Sequence, residues 1–126
     1  MAWSVQTISD KDFEVIVKAT STGAESKAVI VDASALSGHD ANPVLDIQGV
    51  VWSTNTDAAM VYFDATTDDH ARALNGGGKI GFADGMPTIA KNPKSTGVTG
   101  DISASCAGET TLILKLRKSE GYTNLV

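Results

Sequence analysis

Apolar and polar residues alternate with a period of two along most of this chain. In residues 13–20, Phe13, Val15 and Val17 fall on one face of an extended strand, and mostly polar side chains fall on the other. The alternation is clearest in residues 112–117, where leucine occupies every second position. This pattern is typical of strands in an antiparallel sheet that buries one face.

Turn-forming residues separate about eight such strands at intervals of roughly eight to twelve residues. The spacing predicts an all-β fold: a single-domain antiparallel β-sandwich or jelly roll that spans residues 1–126. Besides residues 13–20, strands are predicted at 27–31, 44–52, 59–65, 70–74, 79–82, 101–107 and 110–117. Residues 13–20 and 27–31 are predicted to form one hairpin, and residues 101–107 and 110–117 another. Residues 32–38 are predicted to form one short helical turn, capped by Asp or Ser.

The in-phase apolar residues of the best strands define the predicted core. They are Phe13, Val15, Val17, Val61, Phe63, Leu112, Leu114 and Leu116. Trp52 ends an apolar strand and is also assigned to the core. Cys106 is the only cysteine and lies in a predicted strand. We therefore expect it to be a buried small hydrophobe rather than a reactive thiol.

Three segments fall outside the predicted sandwich: residues 1–8 as an N-terminal arm, 83–100 as a long loop and 119–126 as a C-terminal tail. A long irregular loop in a small domain is commonly functional or packed against a partner. We therefore expect protein-interface residues in these segments, namely Trp3, Pro87, Pro93, Tyr122, Leu125 and Val126.

The charge of the chain narrows the range of partners. The formal net charge is −5 and the sequence pI is about 4.8, so the surface repels a phosphate backbone. The chain has no stretch of about 20 apolar residues, the length that a membrane-spanning helix needs. No secretory leader is predicted at the N-terminus. We expect a protein that binds neither nucleic acid directly nor a membrane.

Two motifs suggest phosphate or metal binding, but neither has the required pattern. The glycine-rich segment 75–79 is followed by Ile80 rather than by Ser or Thr and a helix, so it is predicted to be a plain turn. A second group has the residue types of a metal site without the spacing of a calcium loop. It consists of Asp64, Asp68, Asp69 and His70. We expect solvated turn residues there, and no metal or cofactor.

A third group, His39 and Asp40 close to Ser34 and Ser37, contains the residue types of a hydrolytic triad. A triad also needs a defined geometry and an oxyanion hole, which neighbours in sequence rarely supply. The Gly-x-Ser-x-Gly elbow is absent. We predict no catalytic residue and a protein that is not an enzyme.

Five segments of the chain, taken in order, resemble small β-rich virion structural proteins of marine tailed bacteriophages. They are Met1–Asp10, Val31–Leu36, Phe63–Asp68, Gly97–Ile102 and Leu112–Lys118. The resemblance covers most of the chain and consists of strand and turn sequences rather than of catalytic motifs.

The resemblance implies a capsid decoration (cement) protein that bridges capsid subunits on the outside of the virion. It would be made in the host cytoplasm, form a homo-oligomer, and bind the major capsid protein or other virion subunits. The alternatives are a neck or tail ring protein and a carbohydrate-binding module for host attachment. Trp3 is the aromatic residue best placed for a contact surface.

Overall fold

The computed structural model describes residues 3–11, 13–54, 58–65, 67, 69–81, 88–94 and 96–122, apart from the side chains of residues 40 and 41. Over these residues the chain forms nine strands and one 3₁₀ turn. The strands are β1 (Ser4–Asp10), β2 (Glu14–Ser21), β3 (Glu25–Val31), β4 (His39–Thr54), β5 (Ala59–Phe63), β6 (Asp69–Leu74), β7 (Gly77–Ile80), β8 (Ile102–Cys106) and β9 (Thr110–Tyr122). The predicted all-β fold is confirmed.

The strands form two antiparallel sheets that pack as a sandwich. One sheet has the order β1-β2-β9-β4-β7 and the other the order β3-β8-β5-β6. The two predicted hairpins are wrong, because β2 and β3 lie in different sheets, and so do β8 and β9. Alternation identifies a strand and its buried face, but a short turn can lead either to the neighbouring strand or across the sandwich.

The core lies between the sheets and is centred on β9. Leu112, Leu114 and Leu116 are fully buried, and each pairs with a buried residue of β2. Val61 and Phe63 of β5 cover them from the other sheet. Seven of the eight in-phase apolar residues are therefore buried as predicted; the exception is Phe13, and Trp52, which was also assigned to the core, is only partly buried.

Phe13 has 59% of its surface exposed, so its assignment to the core is wrong. The strand begins one residue later, at Glu14, and Phe13 lies in the bend between β1 and β2. Its carbonyl still accepts a hydrogen bond from the Lys118 amide at 2.9 Å. The backbone is therefore held while the ring points away from the core.

Strands β1 and β9 include the described parts of two segments that were expected to be free. Residues 4–8, expected to form an arm, belong to β1 and pair with β2. The last strand continues to Tyr122, so residues 119–122 of the expected tail pair with β4. β7 starts at Gly77, which places two of the three consecutive glycines inside a strand.

The predicted helical turn is confirmed as a 3₁₀ turn at Ala33–Ala35, where the Asp32 carboxylate accepts the Ser34 amide at 2.9 Å. Cys106 is buried, as predicted. Trp52 is only partly buried, and its indole N–H donates to the Asn75 carbonyl at 3.0 Å. Within the described part of the chain, no helix is long and apolar enough to span a membrane.

Candidate protein interface

The exposed large hydrophobic side chains of the described residues lie on one side of the sandwich. They are Val5 (44% exposed), Ile8 (52%), Phe13 (59%) and Val29 (49%). Val5 and Ile8 belong to β1, Phe13 follows β1 in the chain, and Val29 belongs to β3. β1 and β3 are each the outermost strand of their sheet. Val5 and Val29 line the same groove, and apolar exposure shared by two adjacent edge strands is typical of a surface that other molecules cover.

A groove of about 340 Å³ runs between the edge strands β1 and β3. Trp3 and Val5 line one wall, and residues 25–29 line the other. Trp3 is partly buried and packs against the core, which gives this wall a rigid aromatic base. We call this surface, formed by Trp3, β1 and residues 25–29, the β1/β3 edge.

The outer strand β1 differs in charge from the other three edge strands. β3, β6 and β7 each carry a lysine or an arginine, whereas residues 4–9 of β1 carry no charge. Charged side chains on an edge strand oppose pairing with another chain, and lysine is the commonest of them. The protection in β1 consists of a register shift between Thr7 and Ser9 and of Asp10, which points inward to Lys118 at the end of the strand. β1 is therefore the edge strand best suited to contact another protein.

The interface residues predicted from the sequence lie in different environments. Trp3 lines the groove, and Pro93 is exposed in the loop that precedes β8. Tyr122 is only 4% exposed, so the expectation that its side chain faces a partner does not fit its position in β9. Pro87, Leu125 and Val126 lie outside the described residues.

The described part of the predicted long loop packs onto β4. The Ile47 amide donates to the Ala90 carbonyl at 2.8 Å, and the Ala90 amide donates back to the Ile47 carbonyl at 3.0 Å. The Asn92 amide donates to the Asp46 carboxylate at 2.8 Å. These contacts fix residues 88–94 against the sandwich and leave Pro93 at the surface.

A fully buried lysine joins the first and last strands near the end of β1. Lys118 has no exposed side-chain surface, and its Nζ donates to Asp10 Oδ1 at 2.6 Å and to the Ser37 carbonyl at 2.7 Å. The other Asp10 oxygen accepts the Ser37 amide at 2.7 Å. The ammonium also lies 5.1 Å from the centre of the Tyr122 ring, within cation–π range. This cluster is a structural clamp, since each polar group in it already has a partner.

The same end of the sandwich holds two groups with perturbed acidity. Burial, together with the nearby carboxylates, raises the pKa of the Tyr122 hydroxyl, which donates to the Ala33 carbonyl at 2.9 Å. Burial also raises the pKa of Asp101, although the hydrogen bond from the Ala33 amide (2.8 Å) acts in the opposite direction. Both side chains anchor the 3₁₀ turn, and their pKa shifts follow from this packing.

Two of the residues with the types of a hydrolytic triad, Ser34 and His39, contact neighbouring groups of the same turn. Ser34 Oγ donates to the Asp32 carboxylate at 2.6 Å, and His39 Nδ1 lies 3.1 Å from the Leu36 carbonyl. The side chain of Asp40 lies outside the described residues.

Among the acidic residues of this group, Asp64 makes structural contacts. Asp64 accepts a hydrogen bond from Thr99 at 2.8 Å and lies 3.5 Å from the Lys27 ammonium. The ring of His70 packs edge-on against Tyr62. Asp68 lies outside the described residues, and within them no three His, Cys, Asp or Glu side chains are grouped as metal ligands.

A second groove, of about 500 Å³, has a polar lining. Its described lining consists of serine and threonine residues in or directly after β2, β4 and β9, together with Glu109. None of these described residues supplies an aromatic ring on which a sugar could stack. The carbohydrate-binding alternative therefore gains no support from this groove.

No protein-family model matches this chain, and no curated protein shows significant sequence similarity to it.

Sequence reasoning missed most of the β1/β3 edge. Val5 and Ile8 were placed in a free arm, Phe13 in the core, and Val29 in an ordinary strand. One signal was present: residues 4–9 contain two large apolar residues and no charge, an unusual composition for a solvent-exposed segment.

Proposed function

We propose that this chain is a structural protein of a bacteriophage particle that decorates the capsid exterior and bridges capsid subunits. The observation that carries the proposal is the β1/β3 edge, an apolar surface with an open groove. The polar clusters around Lys118 and the 3₁₀ turn, by contrast, hold strands and turns of the sandwich together. Such a surface fits a protein that acts by contact with other proteins. The resemblance to virion proteins of tailed phages points to the particle in which those contacts form.

Repetition on a shell makes a small interface sufficient. A domain of 13.0 kDa offers limited contact area to any one neighbour. On a symmetric shell, many copies bind side by side, and contacts between linked copies add to each copy's affinity for the shell. The negative net charge fits an outer position, because a capsid lining would face the phosphates of the genome.

Co-sedimentation tests this function. The purified chain is mixed separately with capsids that lack it, with isolated tails and with host-surface polysaccharide. We expect it to pellet with capsids. Binding to tails alone would instead support a neck or tail protein, and binding to polysaccharide alone would support a host-attachment module.

Two matched lysine substitutions on opposite sides of the sandwich identify the surface used. Val29→Lys places a charge on the β1/β3 edge, and Ala73→Lys places one on the exposed face of β6. We expect capsid affinity to fall at least about tenfold for Val29→Lys, a loss of about 1.4 kcal/mol, and to stay unchanged for Ala73→Lys. Equal losses for both variants would show that the edge is not the binding surface.

A further inference from the structure

The link between β6 and β7 consists of Asn75 and Gly76, an asparagine–glycine sequence that occurs once in this chain. β6 and β7 belong to different sheets, so these two residues carry the chain across the sandwich. Both residues are exposed, and Gly76 has a φ of +69° with open space where a side chain would lie. Glycine has no side chain to hinder attack by its own nitrogen, so a preceding asparagine loses its side-chain amide readily.

We propose that Asn75 is a self-deamidation site that Thr54 of β4 keeps closed in the folded protein. The Gly76 nitrogen attacks the carbonyl carbon of the Asn75 side chain, and the bond from that carbon to the side-chain nitrogen breaks. The Gly76 proton passes through water to the leaving nitrogen, which departs as ammonia. Water then opens the resulting cyclic imide at either carbonyl and gives aspartate or isoaspartate. Over both steps one water is consumed, one ammonia is released, and nothing is oxidised or reduced.

Thr54 holds the nitrogen that has to attack. The Gly76 amide donates to Thr54 Oγ1 at 2.8 Å, while the Thr54 hydroxyl and amide donate to the Gly76 carbonyl at 3.2 Å and 2.6 Å. Thr54 is only 9% exposed, so little water competes for these hydrogen bonds. Loss of the Gly76 proton breaks the first of them, and movement of the nitrogen toward the Asn75 side chain pulls on the other two. Ring closure therefore sacrifices hydrogen bonds that the folded protein keeps.

Trp52 holds the main chain on the other side of the reacting nitrogen. Its indole N–H donates to the Asn75 carbonyl at 3.0 Å, and its ring packs against the main chain of Gly78. Trp52 and Thr54 are two residues apart in β4, so their side chains lie on the same face of the strand. One strand therefore fixes the main chain of both link residues, although Asn75 itself is exposed.

Both products carry one more negative charge than the unmodified chain, so anion-exchange chromatography separates them. Isoaspartate also adds a carbon atom to the main chain of the link, which displaces Gly76 from Thr54. Peptide mass spectrometry locates the change. Asn92 is an internal control that should keep its amide, because the next residue, Pro93, has no N–H to attack with.

The first experiment compares the folded and the unfolded wild-type chain during incubation in mildly alkaline buffer. We expect Asn75 to react at least about fivefold more slowly in the folded protein than in the same chain unfolded in guanidinium chloride, the effect of one net hydrogen bond on a rate. Equal rates in the two states overturn the proposal, and this comparison needs no variant. Asn75→Ala, which has no side-chain amide, should lose the acidic species; a variant that forms them as fast as wild type places the reaction elsewhere and overturns the proposal.

Two substitutions of Thr54 separate its hydroxyl from the general rigidity of the link. Thr54→Val keeps the branched shape and loses the hydroxyl, so the folded variant should deamidate at Asn75 at least about fivefold faster than wild type. Thr54→Ser keeps the hydroxyl and should stay within about twofold of the wild-type rate. Circular dichroism confirms that each variant is folded. A Thr54→Val variant that reacts at the wild-type rate, or a Thr54→Ser variant that reacts as fast as Thr54→Val, overturns the proposal.

Discussion

Asp10→Ala should destabilise the protein more than Lys118→Met, which replaces the buried lysine that pairs with Asp10. The Lys118 side chain is fully buried, and Asp10 Oδ1, at 2.6 Å, is its only charged partner among the described residues. Asp10→Ala leaves the ammonium with the Ser37 carbonyl as its remaining hydrogen-bond acceptor. Lys118→Met removes the charge and keeps most of the apolar volume of the side chain.

The burial of the two side chains determines how much stability each variant should lose. Removing one partner of a buried ion pair costs about 3–5 kcal/mol, because the other charge stays buried without compensation. Asp10 is 23% exposed, so water can enter the site of the deleted carboxylate, and we expect the lower end, about 3 kcal/mol. Lys118→Met should cost less, about 1.5 kcal/mol, because the charge that it leaves behind, the Asp10 carboxylate, is partly exposed to water and keeps the hydrogen bond from the Ser37 amide.

Urea denaturation at pH 7, followed by circular dichroism, measures both variants. With a slope of about 1.5 kcal/mol per molar urea, Asp10→Ala should lower the midpoint by about 2 M. The double variant Asp10→Ala/Lys118→Met should unfold close to Lys118→Met, because no buried charge is left. A cost of Asp10→Ala below about 1 kcal/mol, the size of an exposed pair, would refute the burial of Lys118.

Three further substitutions test other parts of the structure. Leu114→Ala should cost about 2–5 kcal/mol in urea denaturation, since Leu114 is fully buried, and a loss below about 0.5 kcal/mol would show that the assigned strand face is wrong. Gly100→Ala should cost at least about 1–3 kcal/mol, because φ is +82° and the new methyl group would overlap the Pro43 carbonyl; an unchanged midpoint would contradict this close approach. Burial raises the pKa of Asp101, so this residue contributes stability below the ordinary carboxyl pKa that is lost as the pH rises through the raised value. Asp101→Asn keeps an acceptor for the Ala33 amide and should raise the melting temperature at pH 7 relative to wild type but not at pH 3; an equal change at both pH values would show that ionisation plays no part.

The period-two pattern predicted the strands and most of the core because burial on one face acts on every second residue. The same phase that runs through Leu112, Leu114 and Leu116 continues to Lys118, so the pattern contains a charged residue directed at the core. The partner of Lys118 could not be predicted, because Asp10 lies 108 residues away in sequence and reaches it only through the sheet order.

The candidate interface was harder to predict than the core, since exposure depends on which strands end up at the sheet edges. The sequence places Trp3 at a contact surface and its neighbours Val5 and Ile8 in a free arm, whereas in the structure Trp3 lines the groove and Val5 and Ile8 belong to β1. Val29 lies in the apolar run 28–31, yet it is about half exposed because β3 is an edge strand. Strand order, which local sequence does not encode, decides whether such a residue is covered.

Electron microscopy of particles assembled with and without this chain tests the proposed role most directly. We predict extra density on the outer surface of the capsid shell when the chain is present, and loss of that density when it is omitted. Density confined to the neck or tail, or particles that look the same in both preparations, would contradict capsid decoration.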